Sequence, residues 1–593
     1  MFAVLPDGEK SPNGFDIIPP MNRIKWIALY TGLAVLLLLP RLPGLDSFVT
    51  LDEPSWLSQG ANFYYALGQR EFQNTVYEYQ PAVTTMWIVT AAMLAYFPQY
   101  RGLGQGYLNY EKGILDPFML EHGKDPLILL RDARLIQVLL IAALMLFAFY
   151  LLQRLIGTAP ALFAILLTSF DPFFLSQARL LDHEAMLALF TSISVLALLN
   201  YLLLGRSLIF VIFSAVSAGL AQLTKSSGIA LLAPVGLIFL IHLFQDHRAG
   251  NGFYKALSGL LKVLAVWLAF LAATYVFFWP GMWVAPGEML YQVYGNALSY
   301  AFRGARLIAL NEVQAPPLRL DTDPNGFLQM LNTIFWRTTP LTWLGVLFGL
   351  ALSLWRDREL LSPTARTVGL HLLVLAAAFI LMFGLAQGRN SPHYTLSSYV
   401  ALNLFAGMGW VFALKWLGNS VTLLRATRMQ ILVLSIVFVT QAASAVAHFP
   451  YYFTYENPVL SSLMPQNQPQ FPYGEGLQLA GQYLSKLPDA QNRGALVYYG
   501  RGCFSYYFPG QTTSFRPYYA DPGHEQDLLK ALAASDYLVV YYATQGHLTK
   551  YSKMLGALEA VQPEKEFWLN GYKYAVIYRI DSFPPGVYDA LVK

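Results

Sequence analysis

Four short polar turns hold the residues of this 593-residue chain that could do chemistry. The first is Leu51-Asp52-Glu53-Pro54, two adjacent carboxylates directly after an apolar run. Such a pair is costly at a bilayer surface unless it is solvated, paired or functional. Pro54 suits the first turn of a helix, so either acid could cap one running to about Gly68. The functional alternative is an acid held for proton abstraction or for a metal ion. The second turn is Arg179-Leu180-Leu181-Asp182-His183-Glu184, in which Asp182 would face Arg179 one helical turn away and neutralise it. His183 and Glu184 are adjacent, not spaced i, i+4 like a helical zinc pair, so metal use stays open. The third and fourth turns are basic. They are Leu223-Thr224-Lys225-Ser226-Ser227-Gly228 and Gln387-Gly388-Arg389-Asn390-Ser391-Pro392-His393-Tyr394. A lysine ending an apolar run ordinarily snorkels. Lys and Arg beside Ser and Thr also match phosphoryl oxygens.

The elements that must position these turns follow from composition. Hydrophobic residues make up 55% of the chain and charged residues 12%, about half the 25% of a soluble protein. That excludes a disordered, collagenous or nucleic-acid-binding chain and leaves a polytopic membrane protein. The net charge of +4 gives no polyanion-binding face. Cys503 is the single cysteine, which excludes an intramolecular disulfide and a cysteine zinc cluster.

After a polar tail over 1–23, an apolar run to Leu39 reads as a signal anchor with a cytoplasmic N-terminus. Further runs lie near 135–153, 160–177, 184–204, 208–223, 228–244, 258–279, 339–355, 368–386, 394–414 and 430–447. Each has about 16–22 residues, enough for most of a hydrocarbon core about 30 Å thick. The short run 81–98 decides the orientation. If it does not cross, the loops with Arg154, Arg206, Arg248, Lys255, Arg356, Arg358, Arg366, Lys415, Arg425 and Arg428 all face the cytoplasm. If it crosses, all face out, against the positive-inside rule. It therefore reads as an interfacial or re-entrant helix beside about eleven spans.

This gives a membrane domain over 24–449 with outer loops 41–131 and 280–336, and an extracytoplasmic region over 450–593. From Glu475 charges return, and helical patterns (475–486, 525–534, 546–560) alternate with strand-like runs Ala495–Tyr499, Tyr537–Tyr542 and Tyr574–Ile580. A small α/β domain is expected there. All four polar turns fall on the outer side.

The chain resembles the membrane-embedded GT-C glycosyltransferases, in particular the bacterial branch of family 39, which includes protein O-mannosyltransferases and aminoarabinose transferases. The resemblance runs over about residues 24–490. It rests on Asp52-Glu53, on Tyr79-Gln80-Pro81-Ala82-Val83-Thr84-Thr85-Met86-Trp87, on Arg179 to Phe190, on Leu223-Thr224-Lys225 and on His393-Tyr394. Tyr451 to Pro458 and Tyr473-Gly474-Glu475-Gly476 resemble the junction after the last span of bacterial members.

The resemblance implies a polytopic α-helical GT-C enzyme with a C-terminal α/β domain, multi-pass in the plasma (inner) membrane. It would move a sugar from a polyprenyl phosphate to a protein, lipid or polysaccharide outside the cytoplasm, with inversion. Asp52 would be the base or acceptor-orienting acid, with Glu53 beside it. Glu184 would be the second acid, with Asp182 competing for that role and His183 between them. The donor phosphate would fall to Arg179, Lys225, Arg389 or His393, and Tyr79 and Gln80 would line the groove. Relatives carry His-Pro or Lys-Pro-Pro where this chain has Gln80-Pro81, and Ser55 and Trp56 stand where aminoarabinose transferases have a basic residue. The resemblance fixes no cofactor, and the two acidic turns leave a divalent metal ion open. A transporter or flippase is the competing class, but it would keep ionisable groups near the bilayer midplane and show two related halves. The apolar runs here have nearly charge-free centres. A binding protein with a membrane anchor would need one span.

Overall fold

The structure, a computed structural model, describes residues 22–77, 80–109, 114–250, 252–303, 324–354, 361–386, 391–464, 473–515, 525–542 and 552–592. It divides into two compact units. The first comprises Met1–Pro43, Phe63–Ala91 and Leu135–Pro465; the second comprises Gly44–Asn62, Ala92–Arg134 and Gln466–Lys593.

Among the described residues, seven helices are long and apolar enough to cross a bilayer: Pro126–Ile156, Glu184–Leu203, Ser226–Arg248, Phe253–Phe278, Pro363–Leu385, Pro392–Ser420 and Thr427–Val446. The chain is a multi-pass membrane protein. The other four of the eleven expected runs form shorter helices, Arg23–Leu38, Thr158–Ser169, Leu208–Thr224 and Pro340–Leu354. The largest departure is in the run 160–177, expected to be one helix. It ends at Ser169, and Asp171 then caps a separate short helix, Pro172–Gln177, by accepting from the Phe174 amide at 2.9 Å. Proline lacks an amide proton and pushes the preceding residue into an extended conformation, so Asp171-Pro172 restarts the helix. The run 81–98 is a 14-residue helix, Val83–Tyr96. That is about 21 Å, shorter than a hydrocarbon core.

Within the first unit, the helix Leu396–Ser420 is buried along most of its length. Its glycines explain the packing. A Cβ on Gly409 would meet the Gly345 carbonyl oxygen at 2.0 Å, and one on Gly407 would meet the Ala164 Cα at 2.3 Å. Small residues let backbones touch where lipid supplies no hydrophobic drive between helices. Buried side-chain bonds such as Thr342 to Asn403 (2.7 Å) and Ser398 to the Ala376 carbonyl (2.8 Å) join the same helices.

The second unit contains a five-stranded sheet: β1 (Gly494–Val497), β2 (Gln511–Ser514), β3 (Tyr537–Tyr541), β4 (Lys565–Leu569) and β5 (Tyr572–Arg579), in the order β2-β1-β3-β5-β4. β1 is parallel to β2 and β3, whereas β5 is antiparallel to β3 and β4. β1 and β3 are buried throughout. The β4–β5 hairpin turns through Asn570-Gly571, both with positive φ (50° and 83°), the pair that a two-residue turn favours. Helices Leu477–Leu484, Glu525–Ala533 and Ser552–Leu558 fall within the three helical patterns, the last with residues 546–551 outside the described residues. The sequence reading missed β2 and β4. Both are edge strands, where polar and charged residues such as Gln511 and Lys565 are tolerated and no apolar run marks them.

Candidate active site

The two adjacent carboxylates of the first turn have different surroundings. Glu53 opens the helix Glu53–Gln69 and is 1% exposed. Its carboxylate accepts from the Thr50 amide (2.8 Å), the Thr50 hydroxyl (3.0 Å) and Arg134 Nε (2.7 Å), and a second Arg134 nitrogen completes a bidentate pair. Arg134 is equally buried and also donates to the Leu45 and Phe48 carbonyls. A desolvated pair with its remaining hydrogen bonds satisfied fixes geometry, and breaking one side is costly. Glu53 therefore locks the loop from Leu45 to Glu53.

Asp52, one residue earlier, is exposed. Its backbone carbonyl accepts from the Ser55 and Trp56 amides, both at 3.0 Å, which starts the helix. Its Oδ2 accepts from the Tyr473 hydroxyl at 3.0 Å. Of the pair, Asp52 is the acid that solvent or a substrate can reach.

Neither Arg134 nor Tyr473 was singled out as a site residue from the sequence. The available signals were the charged stretch Arg131-Asp132-Ala133-Arg134 early in an apolar helix and the Tyr-Gly-Glu-Gly junction. A third feature, Arg501, donates to the Pro54 carbonyl (3.1 Å) and the Ser58 hydroxyl (2.8 Å), with its Nε 3.5 Å from Asp116. Tyr506 donates to Asp116 at 2.9 Å. Burial pushes the Asp116 carboxyl above its ordinary value, and the Arg501 charge opposes that shift.

In the first unit, Arg179, Asp182, His183, Glu184, Lys225 and His393 are all buried. Glu184 heads the helix Glu184–Leu203 and pairs with Lys225. The His183 Nε2 lies 3.8 Å from the same carboxylate, and Asp182 accepts from the His183 amide at 2.6 Å. Burial, then the Lys225 and His393 charges, push the His183 imidazole well below its ordinary value. The Lys225 ammonium sits 4.3 Å from the Tyr394 ring centre, and Tyr394 packs edge-on against His393 at 4.5 Å.

Lys225 lies where Leu208–Thr224 ends and Ser226–Leu231 begins. Thr84, in the first turn of Val83–Tyr96, donates to Thr224 at 2.9 Å, which ties that helix to the break. The turns read as Asp182-His183-Glu184, Lys225 and His393 thus form one polar cluster.

Arg179 is engaged otherwise. It donates to the Pro43 carbonyl and lies 5.4 Å from each of the Phe449 and Tyr452 rings. Gln80 is half-buried, just ahead of Val83–Tyr96. Tyr79 and Arg389 lie outside the described residues. Among the described residues, no group of three or more His, Cys, Asp or Glu is arranged to hold a metal ion.

Residues 130–275 match the model of the dolichyl-phosphate-mannose-protein mannosyltransferase family. No curated protein matches the sequence. Among solved structures, the chain is similar to ArnT from Cupriavidus metallidurans bound to undecaprenyl phosphate. Identity is 13%, 94% of this chain and 98% of that chain are covered, and the TM-score is 0.48. It is also similar to the archaeal oligosaccharyltransferase AglB from Archaeoglobus fulgidus in complex with an inhibitory peptide and a dolichol-phosphate, at 12% identity over 88% of this chain and 70% of that one, TM-score 0.43. The S. cerevisiae Pmt1–Pmt2 complex bound to the sugar donor matches at 19% identity over 46% of this chain and 35% of that one, TM-score 0.33.

The chain is thus a multi-pass helical protein in which residues 130–275 are similar to the dolichyl-phosphate-mannose-protein mannosyltransferase family.

Proposed function

We propose that the protein transfers a sugar from a polyprenyl phosphate to an acceptor on the non-cytoplasmic face of the plasma membrane, with inversion at the anomeric carbon. An acceptor hydroxyl oxygen forms the new bond to the anomeric carbon as the bond from that carbon to the phosphate oxygen breaks. The bonding pair leaves with the polyprenyl phosphate, and the hydroxyl proton passes to Asp52. Proton removal by a positioned base is worth about 10²–10⁴-fold.

The observation that carries this reading is the exposed Asp52, bonded to Tyr473 and next to a buried Glu53 held by Arg134 and Thr50. Lys225 is assigned to the donor phosphate, with Ser226 and Ser227 on the same turn as further donors. Stabilising charge as it develops on a leaving group is often the largest catalytic contribution. Glu184, paired with Lys225, then aims the lysine, and His183 lies beside the same carboxylate. The outer location, the division into a membrane domain over 24–449 and an extracytoplasmic domain over 450–593, and the cytoplasmic N-terminus belong to the same proposal. They are supported by the placement of basic residues in the short loops.

The test is genetic and chemical. Deleting the protein should remove one class of glycan and let its lipid-linked sugar accumulate. A wild-type copy should restore the glycan, whereas Asp52→Asn at equal abundance should not. A deletion strain with unchanged glycans and lipid-linked sugars would overturn the function.

A further inference from the structure

Tyr473 belongs to the same compact unit as Asp52 and the sheet, and its surroundings are built to hold its hydroxyl in one place. Its ring is buried while its hydroxyl reaches an exposed acid. Its amide donates to Glu475 Oε2 at 2.9 Å, and its carbonyl accepts from the Leu51 amide at 3.3 Å, one residue before Asp52. Glu475 is itself buried and accepts at 3.0 Å from the hydroxyl of Tyr541, which accepts from the Gly474 amide at 3.0 Å. Tyr541 is fully buried on β3. The intervening Gly474 has φ +106°, and a Cβ there would lie 2.9 Å from the Cys503 sulfur and 3.0 Å from the Val49 carbonyl oxygen. A series of buried contacts thus runs from the central strand to one phenol, and from that phenol to Asp52.

We infer that Tyr473 is a positioning residue for Asp52, through which the α/β domain takes part in the transfer reaction. The inference rests on Asp52 being the base. A phenol, ionising near pH 10, is a donor throughout the working range, and a donor to a carboxylate favours its charged form. Other acids of this unit oppose that form. Glu475 lies two residues from Tyr473, and Glu53, although paired with Arg134, adjoins Asp52. The buried Cys503 thiol is close enough to sense all three carboxylates, and Arg501 reaches the same turn at the Pro54 carbonyl. The hydroxyl of Tyr473 offsets this acidic surplus and fixes the plane of the carboxyl group that takes the proton.

The test is a pH profile of kcat/KM for full-length protein in lipid nanodiscs. The donor would be polyprenyl-phosphate-linked sugar extracted from the host membrane. Removing a donor to the charged form raises the carboxyl's ionisation point, so Tyr473→Phe should move the acid limb up by about one pH unit. Transfer below that limb should fall about tenfold while the plateau stays near wild type. Tyr506→Phe, which removes a hydroxyl from Asp116 instead, should leave the limb in place. An unmoved limb in Tyr473→Phe, a uniform loss at all pH values, or an equal shift in Tyr506→Phe would overturn the inference. Full activity in Asp52→Asn would instead overturn the base assignment beneath it. An inactive Asp52→Asn with an unmoved limb in Tyr473→Phe defeats the inference alone.

Discussion

The two acidic turns solve the problem of charge near a membrane in opposite ways. At Leu51–Pro54 the two acids divide the work. Glu53 is buried against Arg134 and holds the loop, while Asp52 stays exposed and accepts from the Tyr473 phenol at its Oδ2. At Leu180–Glu184 the whole turn is buried, and Glu184 is paired with the buried Lys225. A carboxylate that must take a proton benefits from water and a weak donor. A lysine that must meet a phosphate benefits from desolvation, which strengthens the attraction as long as a counter-charge holds it ionised. Adjacent residues of the same type can therefore differ completely in role, and burial with its partners tells them apart.

The division at the first turn breaks most visibly through Arg134. Arg134→Met leaves Glu53 buried without a counter-charge, and unfolding followed by denaturant should show a loss of about 3–5 kcal/mol. A loss below about 1 kcal/mol would mean that the pair does not hold the loop.

At the second turn, the single variant Lys225→Met would strand Glu184 in the same way, so the informative variant is Lys225→Met with Glu184→Gln. It should stay folded and lose donor binding by about ten- to hundredfold, read as a raised KM for the lipid-linked sugar, since charge-assisted contacts to phosphate are worth about 1.5–3 kcal/mol. An unchanged KM would remove Lys225 from the phosphate site.

A smaller effect is expected at Gly502. It has φ +70°, and a Cβ there would meet Pro54 Cγ at 2.3 Å, directly behind the Asp52 turn. Gly502→Ala should cost about 1–2 kcal/mol of stability and lower turnover modestly by shifting that turn. Wild-type thermal stability in this variant would show that the turn yields easily.

Much of this was legible in the sequence. Every one of the eleven apolar runs carries a helix, because hydropathy at this density has few other outcomes. The acidic and basic turns stood out because charges are scarce. What could not be read was how the acids divide their roles. Glu53 and Asp52 are neighbours, and the partner that separates them, Arg134, is 81 residues away. The same holds for Glu184 and Lys225, 41 residues apart. The surroundings of Arg179, two aromatic rings and the Pro43 carbonyl, likewise come from outside its own turn. The break at Asp171-Pro172 was written plainly in the chain, but averaging hydropathy over a span-length window conceals it.

The central claim is that Asp52 is the base and Glu53 is not. It is tested most directly by measuring sugar transfer with purified Asp52→Asn beside wild type, using the host's polyprenyl-phosphate-linked sugar and following thermal unfolding in parallel. Transfer should fall by at least about 10²-fold while the unfolding temperature stays within about 2 °C of wild type. Transfer at the wild-type rate would contradict the account.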